Sequence, residues 1–323
     1  MTPADLKTVG VLGAGTMGAG IAEQFAEKGC EVILWNRSTE TLCSAEKRIR
    51  SNQQQLIDAD LLTECQAQEA RARIRTTCNL KDLGPTQLIT ENVAEILELK
   101  QNIFSQVECI VGKDILLASN TSGIPISTLQ EKCRFPERVV GMHWWNPPHI
   151  IPLIEIIKGA QTDETVVQTA FDTASWLGKR PIIVKKDIPG FVGNRMQFAL
   201  AREALWLLEN NVATAEDIDT AVSSGFGFRY PVLGPLRAAD FTGLDTMKFI
   251  TDNLFPMLDD TKESPEILRH AVEQGNYGAK TGKGLYDYAI GEVEELIAER
   301  NKELLHLIKR RFEATKKSKP TNT

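Results

Sequence analysis

The sequence has no run of roughly 18 or more apolar residues, the least that carries a helix across a bilayer, so no membrane span is expected. Its opening residues, MTPADLK, lack the apolar core of a secretory signal and lead straight into the first apolar run. Its six cysteines (Cys30, Cys43, Cys65, Cys78, Cys109 and Cys133) contain no CxxC pair, and all lie before residue 134. That spacing argues against a metal site and fits reduced thiols in a cytoplasm. Each reads as a packing or surface residue rather than a nucleophile. An excess of positive charge is also missing: 37 Lys and Arg stand against 43 Asp and Glu, a net charge of -6, which removes the electrostatic case for nucleic acid. Histidine is scarce, with four in the chain (His143, His149, His270 and His306), so each can be weighed singly. Internal repeats and low-complexity segments are absent. What remains is a globular composition, 42% hydrophobic and 25% charged, over 323 residues, enough for two domains.

The chain is organised around residues 7–37, KTVGVLGAGTMGAGIAEQFAEKGCEVILWNR. Val9 to Leu12 is a short β-branched run suited to a buried parallel strand. Gly13-Ala-Gly15-Thr16-Met17-Gly18 follows, in which Gly13 permits the tight bend, Gly15 lets a pyrophosphate approach the backbone and Gly18 lets the helix pack on the strand. The helix start offers amide N–H groups to phosphates. Met17, Ile21 and Phe25 recur at helical spacing, Gly29 stops the helix, and Glu31 to Trp35 is the second strand. An acid at the end of that strand would hold the ribose 2′-hydroxyl of NAD. Here Asn36-Arg37-Ser38 stands instead, and an arginine beside a serine suits a 2′-phosphate, which favours NADP over NAD. The alternative is a solvated Arg37 with NAD bound without the acid.

Residues 38–72 predict one or two exposed helices. Strands are expected at Gln87 to Thr90, Ile115 to Ala118, Val139 to Met142, Leu153 to Ile157 and Ile182 to Val184, with helices over Val93 to Val107 and Thr165 to Leu177. Strands alternating with helices imply an α/β fold with a doubly wound parallel sheet, a Rossmann domain. From Pro189 on, no strand pattern returns, so an all-α C-terminal domain is expected, with the boundary at Lys185-Lys186-Asp187 (domains 1–187 and 188–323). Its helices are read at 190–211, with an inward stripe of Asn194, Phe198, Ala201, Leu205 and Leu208, at 214–223, at 242–257 and at 291–312. The tail TKKSKPTNT reads as disordered.

Ligands of open α/β sheets sit outside the carboxyl ends of the strands. Ser122 falls just after the Ile115 strand and His143 directly after the Val139 strand. Glu155 interrupts the apolar run Ile151-Pro-Leu-Ile-Glu-Ile-Ile, where an unpaired carboxylate would be costly to bury. Either it faces solvent or it has a cationic partner, and if that partner is His143 the carboxylate would orient the imidazole and raise its pKa. Asn194 occupies a stripe where an apolar residue belongs, as a ligand of the site or as a local helix cap.

These features together resemble the 3-hydroxyacyl-CoA dehydrogenase family, from the glycine turn to Gly278-Ala-Lys280-Thr-Gly-Lys-Gly-Leu-Tyr-Asp-Tyr288. Ser119-Asn120-Thr-Ser122, Gly141-Met-His143-Trp-Trp-Asn146-Pro, Leu153-Ile-Glu155-Ile, Gly190-Phe-Val-Gly-Asn194-Arg195 and Leu233-Gly-Pro235 with Asp240 to Asp245 stand in the family's order. The resemblance implies a His143/Glu155 dyad in which His143 takes the proton of the substrate's 3-hydroxyl as hydride leaves C3 for nicotinamide. It implies that Ser122 and Asn194 hydrogen-bond the reacting oxygen. It also implies that Glu95, Lys100, Ser122, Asn146 and Lys280 contact the cofactor, and that the helical second domain forms a homodimer.

The chain departs from thioester-specific members at position 36 and in Gly225-Phe-Gly-Phe-Arg229-Tyr-Pro-Val-Leu-Gly-Pro235. That arginine, the Asn146-Pro-Pro-His-Ile-Ile-Pro stretch and the helix after residue 290 are similar to the gulonate and carnitine dehydrogenase branch. Arg229 would bind a free substrate carboxylate bidentately, or brace its own loop. The expected function is therefore hydride transfer at C3 of a 3-hydroxybutyryl-CoA-like thioester. A small free 3-hydroxy acid is the alternative, and a non-catalytic relative like the lens crystallins of this family is the alternative from another class.

Overall fold

A computed structural model describes residues 2–317. Eight strands form one sheet: β1 (Thr8–Leu12), β2 (Glu31–Trp35), β3 (Ile74–Thr77), β4 (Leu88–Glu91), β5 (Leu116–Ser119), β6 (Val139–Trp144), β7 (Leu153–Ile157) and β8 (Arg180–Val184). Their order is β3-β2-β1-β4-β5-β6-β7-β8, so the winding reverses between β1 and β4. Helices α1 (Thr16–Glu27), α2 (Thr39–Asp58), α3 (Glu64–Ala72), α4 (Leu97–Glu108), α5 (Ile126–Gln130) and α6 (Glu164–Trp176) connect them. Alternate residues of each strand serve opposite faces. Val9, Val11, Val32 and Leu34 pack with Ile21 and Phe25 of α1, whereas Leu12, Ile33 and Trp35 join the cluster that holds Ile103, Phe104 and Val107 of α4. This is the expected doubly wound α/β fold, followed by a helical C-terminal part.

Two strand-level expectations change. β3 was not foreseen: Ile-Arg-Thr-Thr lacks an apolar run because the strand lies at the sheet edge and none of its residues is buried. The sheet is also not wholly parallel, since β7 runs antiparallel to β6. The link from Trp145 to Pro152 is too short for a parallel crossover, which takes roughly a dozen or more residues, so the chain turns straight back. That reversal sets His143 opposite Glu155 in the ladder.

The remaining helices are α7 (Gly193–Glu209), α8 (Ala215–Thr220), α9 (Gly227–Arg229), α10 (Pro235–Thr242), α11 (Leu244–Leu254), α12 (Glu266–Glu273) and α13 (Glu292–Lys317). The chain divides into two compact units, one running to Asn194 and resuming at Ala298, the other Arg195–Ile297. The cut falls seven residues beyond the expected position 187, because the intervening segment is tied to the first unit. Asp187 accepts from the backbone N and hydroxyl of Ser127 at 2.7 and 2.8 Å. Phe191 is fully buried in the α4-side core, and Glu155 accepts from the backbone of Val192 and Gly193.

The C-terminal helix, expected with the second domain, packs on the first unit from Ala298 on. Leu305 shares a cluster with Leu56 and Ile150, Asn301 donates to Gln55 at 2.9 Å and Lys309 pairs with Asp60 at 2.9 Å. Within the expected tail, residues 315–317 extend this helix, and residues 318–323 lie outside the described part.

The second unit is helical among the described residues, with isolated bridges Gly278↔Lys283 and Lys283↔Asp287. Glu203 accepts from Asp259 N at 2.9 Å, Glu209 from Ile267 N at 2.8 Å and Asp219 from the Tyr286 hydroxyl at 2.7 Å. Of the stripe expected to face inward on α7, Asn194, Ala201, Leu205 and Leu208 are half-buried, whereas Phe198 is 64% exposed. Phe228, Phe241 and Phe249 are exposed as well. Among the described residues no helix is long and apolar enough to cross a membrane.

Candidate functional site

The opening turn has the geometry that its glycines predict. Gly13 lies at φ 89°, and a Cβ there would come within 2.6 Å of the Asn92 carbonyl oxygen. A Cβ on Gly18 would fall 1.8 Å from the Gly13 oxygen, so α1 packs flush on the turn. Gly15 faces open space, with nothing within 4 Å of a Cβ built there. An uncluttered backbone at a helix N-terminus, beside the point where the strand order reverses, fits a dinucleotide pyrophosphate.

At the end of β2, Arg37 is exposed, Asn36 accepts from Ser38 N at 3.3 Å, and Ser38 caps α2 by accepting from Thr41 N. The Ser38 hydroxyl donates to Glu40 at 2.5 Å.

Glu155 is fully buried and its two oxygens take four N–H donors. Oε2 accepts from His143 Nδ1 at 2.7 Å and Trp145 Nε1 at 3.3 Å; Oε1 accepts from the backbone of Val192 and Gly193, each at 3.0 Å. The backbone donors are aimed by Gly190 (φ 76°) and Phe191 (φ 50°), a left-handed pair in which the phenylalanine is sterically disfavoured. Burial pushes the Glu155 carboxyl up, but the His143 bond and the two amides outweigh it and hold it below the ordinary carboxylate value. An ionised carboxylate only accepts, so Nδ1 of His143 is the donor in this bond, which leaves Nε2 as the ring nitrogen not engaged by Glu155. The imidazole is buried between the rings of Trp145 (centroids 5.5 Å apart) and Phe191 (5.7 Å).

A cleft of about 390 Å³ brings His143 together with Thr16, Met17, Glu95, Asn120, Ser122 and Asn146. Asn120 anchors the end of β6 by accepting from Trp144 N at 2.8 Å. Glu95 holds the Ser122 turn, accepting from Thr121 Oγ1 (2.5 Å) and Ser122 N (2.9 Å). Lys100 is buried, with its ammonium on Glu91 (2.8 Å), Glu95 (3.2 Å) and the Val93 carbonyl (3.3 Å), so it bears on the cleft through Glu95. Asn194 Nδ2 donates to the Ser122 carbonyl at 2.9 Å, joining the start of α7 to the same turn. Arg229 and Lys280 belong to the second unit, both exposed.

Several residues around the cleft escaped the sequence reading. Trp145 stood within the Gly141-Met-His143-Trp-Trp-Asn146-Pro motif with no role of its own, and the Val192 and Gly193 amides carry no side-chain signal. Glu91 ended an apolar strand as Glu155 interrupts one, and that same anomaly marked it. Beneath the loop after β6, Lys179 donates to the carbonyls of Pro148 (2.5 Å) and Ile151 (3.3 Å). Burial lowers Lys179 to about 8 and His149 to about 4, and on α1 burial raises Glu27 to about 7 and Glu23 well above its ordinary value.

Residues 8–188 match the family model of the 3-hydroxyacyl-CoA dehydrogenase NAD binding domain, and residues 190–288 match that of the 3-hydroxyacyl-CoA dehydrogenase C-terminal domain. The chain is 36% identical over 301 residues to 5-formyl-3-hydroxy-2-methylpyridine 4-carboxylate 5-dehydrogenase of Mesorhizobium japonicum, covering 93% of this chain and 96% of the relative. It is 35% identical over 285 residues to 3-hydroxybutyryl-CoA dehydrogenase of Mycobacterium tuberculosis, covering 88% and 99%. A crystal structure of the 5-formyl-3-hydroxy-2-methylpyridine 4-carboxylic acid 5-dehydrogenase, described as an NAD+ dependent dismutase, superposes with a TM-score of 0.88 at 34% identity, covering 95% of this chain and 99% of that one. The dinucleotide turn and the motifs around the cleft thus lie in a matched region that runs nearly unbroken from β1 to residue 288, and the chain belongs to the 3-hydroxyacyl-CoA dehydrogenase family, oxidoreductases acting on CH–OH donors.

Proposed function

We propose that this chain moves hydride between the C3 carbinol of a 3-hydroxyacyl substrate, of the 3-hydroxybutyryl-CoA type, and a nicotinamide dinucleotide. The observation that carries the reading is the 2.7 Å His143–Glu155 bond beside a cleft that also holds Thr16, Met17 and Ser122. Bound nicotinamide supplies the hydride acceptor. His143 Nε2 takes the hydroxyl proton, Glu155 steadies the imidazolium so formed, and Ser122 and Asn194 hydrogen-bond the oxygen as it becomes a carbonyl. Glu95 and Asn146 face the cofactor, with Lys100 bracing Glu95; Lys280 is assigned to it as well. His143→Ala should lower kcat by about 10² or more. Retention within about tenfold of the parent overturns the role.

A second substrate reading, a small free hydroxy acid held through its carboxylate by Arg229, is favoured by one observation. The relative whose name specifies a pyridine carboxylate aligns over 301 residues, against 285 for the 3-hydroxybutyryl-CoA enzyme. Turnover of 3-hydroxybutyryl-CoA beside free 3-hydroxy acids separates the two. Arg229→Ala should raise KM for a free acid and leave a thioester's unchanged.

NADP is the cofactor we favour, since Arg37 stands exposed at the end of β2 beside the N-terminus of α2. Glu40 opposes it, because its carboxylate already holds the Ser38 hydroxyl, and the relative described as NAD+ dependent supports NAD. Arg37→Ala should raise KM for NADP at least tenfold and spare NAD, while Glu40→Gln should lower KM for NADP. A strong NAD preference in the parent overturns the choice. The first unit then binds the dinucleotide, and the second serves substrate binding and homodimer formation, for which its exposed Phe198, Phe228, Phe241 and Phe249 offer an apolar surface. Six cysteines, all free, suit a reducing compartment such as the cytoplasm.

A further inference from the structure

We infer that Trp145 is a positioning residue for the dyad: its indole N–H shares the Glu155 oxygen used by His143 and sets how strongly the carboxylate holds the imidazole. The inference rests on the reading of His143 as the proton acceptor.

A carboxylate offers about four lone-pair sites, and Glu155, fully buried, has four N–H donors: His143 Nδ1, Trp145 Nε1 and the backbone N of Val192 and Gly193. Hydrogen bonds to the ionised form draw charge away from any one partner and make the group a weaker base. In a buried site no bulk water levels that effect. Trp145 is the member of this set whose side chain can be replaced without removing the acid, the base or the backbone.

Its seat is shaped for it. A Cβ on Gly193 would lie 2.3 Å from Trp145 Cζ2, so the indole edge occupies the space that a side chain there would take. Gly193 is thus a glycine for room, and the same residue donates its N–H to the other Glu155 oxygen. The indole ring lies 5.5 Å from the imidazole, tilted by 53°. A phenylalanine at 145 would keep much of that packing and lose the donor.

The consequence has a direction. To accept a proton from an alcohol, His143 has to be neutral. An indole donor on Oε2 weakens the pull of Glu155 on the imidazolium, which keeps the neutral form available to lower pH. The other groups facing the dyad are the Phe191 ring and the Val192 and Gly193 amides. Across the cleft stands Glu95, whose charge is met by Lys100.

The experiment is the pH dependence of kcat/KM for alcohol oxidation by the full chain, with 3-hydroxybutyryl-CoA or a free 3-hydroxy acid as substrate. Wild type is compared with Trp145→Phe, Trp145→Leu and His143→Ala. The ring-proton NMR signals of His143 in the Trp145 variants give a readout independent of turnover. Both Trp145 variants should move the acid limb, and the midpoint of those signals, upward by about 0.5 to 1 pH unit, part of what one hydrogen bond to a charged group carries. An unmoved limb and midpoint, or a loss equal at every pH, overturns the inference while leaving the base reading intact. Absence of an acid limb in wild type, or its survival in His143→Ala, removes the base reading itself.

Discussion

At the scale of single residues, the site is a problem of satisfying one buried carboxylate. Glu155 was visible in the sequence as an acid inside an apolar strand, and His143 as one of four histidines placed at a strand end; elementary costs of burial made each an anomaly. Trp145, Val192 and Gly193 were not visible, because an indole in an aromatic-rich turn and two backbone amides leave no compositional trace. Glu155→Gln tests the arrangement. The amide group replaces one acceptor oxygen with a donor that must face either His143 and Trp145 or the two amides, so a donor meets donors. The variant should lose about 1–3 kcal/mol of stability in denaturant unfolding and about 10²-fold or more in kcat. A variant as active as the parent would remove Glu155 from the mechanism.

At the scale of elements, strands with uniform apolar runs were legible and β3 was not, since an edge strand with one apolar residue looks like a connection. The antiparallel turn of β7 lay hidden in the same way: hydrophobic pattern reports burial, and strand direction depends on the length of the link. Helix α1 carries a second feature that pattern alone does not expose, the acids Glu23, fully buried, and Glu27, half-buried. Glu27 is raised to about 7, mainly by burial, from an ordinary 4.5. Between those values the folded chain keeps a proton that the unfolded chain has released, so stability contributed by the protonated acid is full below pH 4.5 and is lost as pH rises through 7. Glu27→Gln should flatten the fall in urea midpoint across that window. An unchanged slope would show that Glu27 does not titrate there. At the other end of the helix, Gly18→Ala has to displace the Gly13 carbonyl, 1.8 Å from the new Cβ. It should cost about 1–3 kcal/mol and weaken dinucleotide binding measured by fluorescence titration. Undiminished affinity would mean that the turn adjusts freely.

At the scale of the whole chain, the change of pattern near residue 187 announced a second, helical part, whereas the compact units meet at Asn194 and the chain returns to the first unit at Ala298. The allegiance of α13 was illegible, because an amphipathic helix declares that it has a partner without saying which. Its partners prove to be Leu56 and Ile150, the latter four residues beyond Asn146. Leu305→Ala should therefore destabilise the first unit by about 2–4 kcal/mol, read as a lowered thermal midpoint, and a midpoint within a degree of the parent would show the helix to be dispensable. The proposed homodimer is checked by sedimentation, which should return about twice the 35.8 kDa chain mass; a single-chain mass at micromolar concentration would set that assembly aside.

The pairing of β6 with β7 reaches further than the fold itself. Since His143 and Glu155 occupy facing rungs of one ladder, the separation of their backbones is set by main-chain geometry, and the neighbouring loops act on the pair through the donors they give Glu155. On the proposed reading of His143 as proton acceptor, residues elsewhere around the cleft can change with the substrate while the paired strands keep the two side chains facing each other, a separation of chemistry from selectivity within one scaffold.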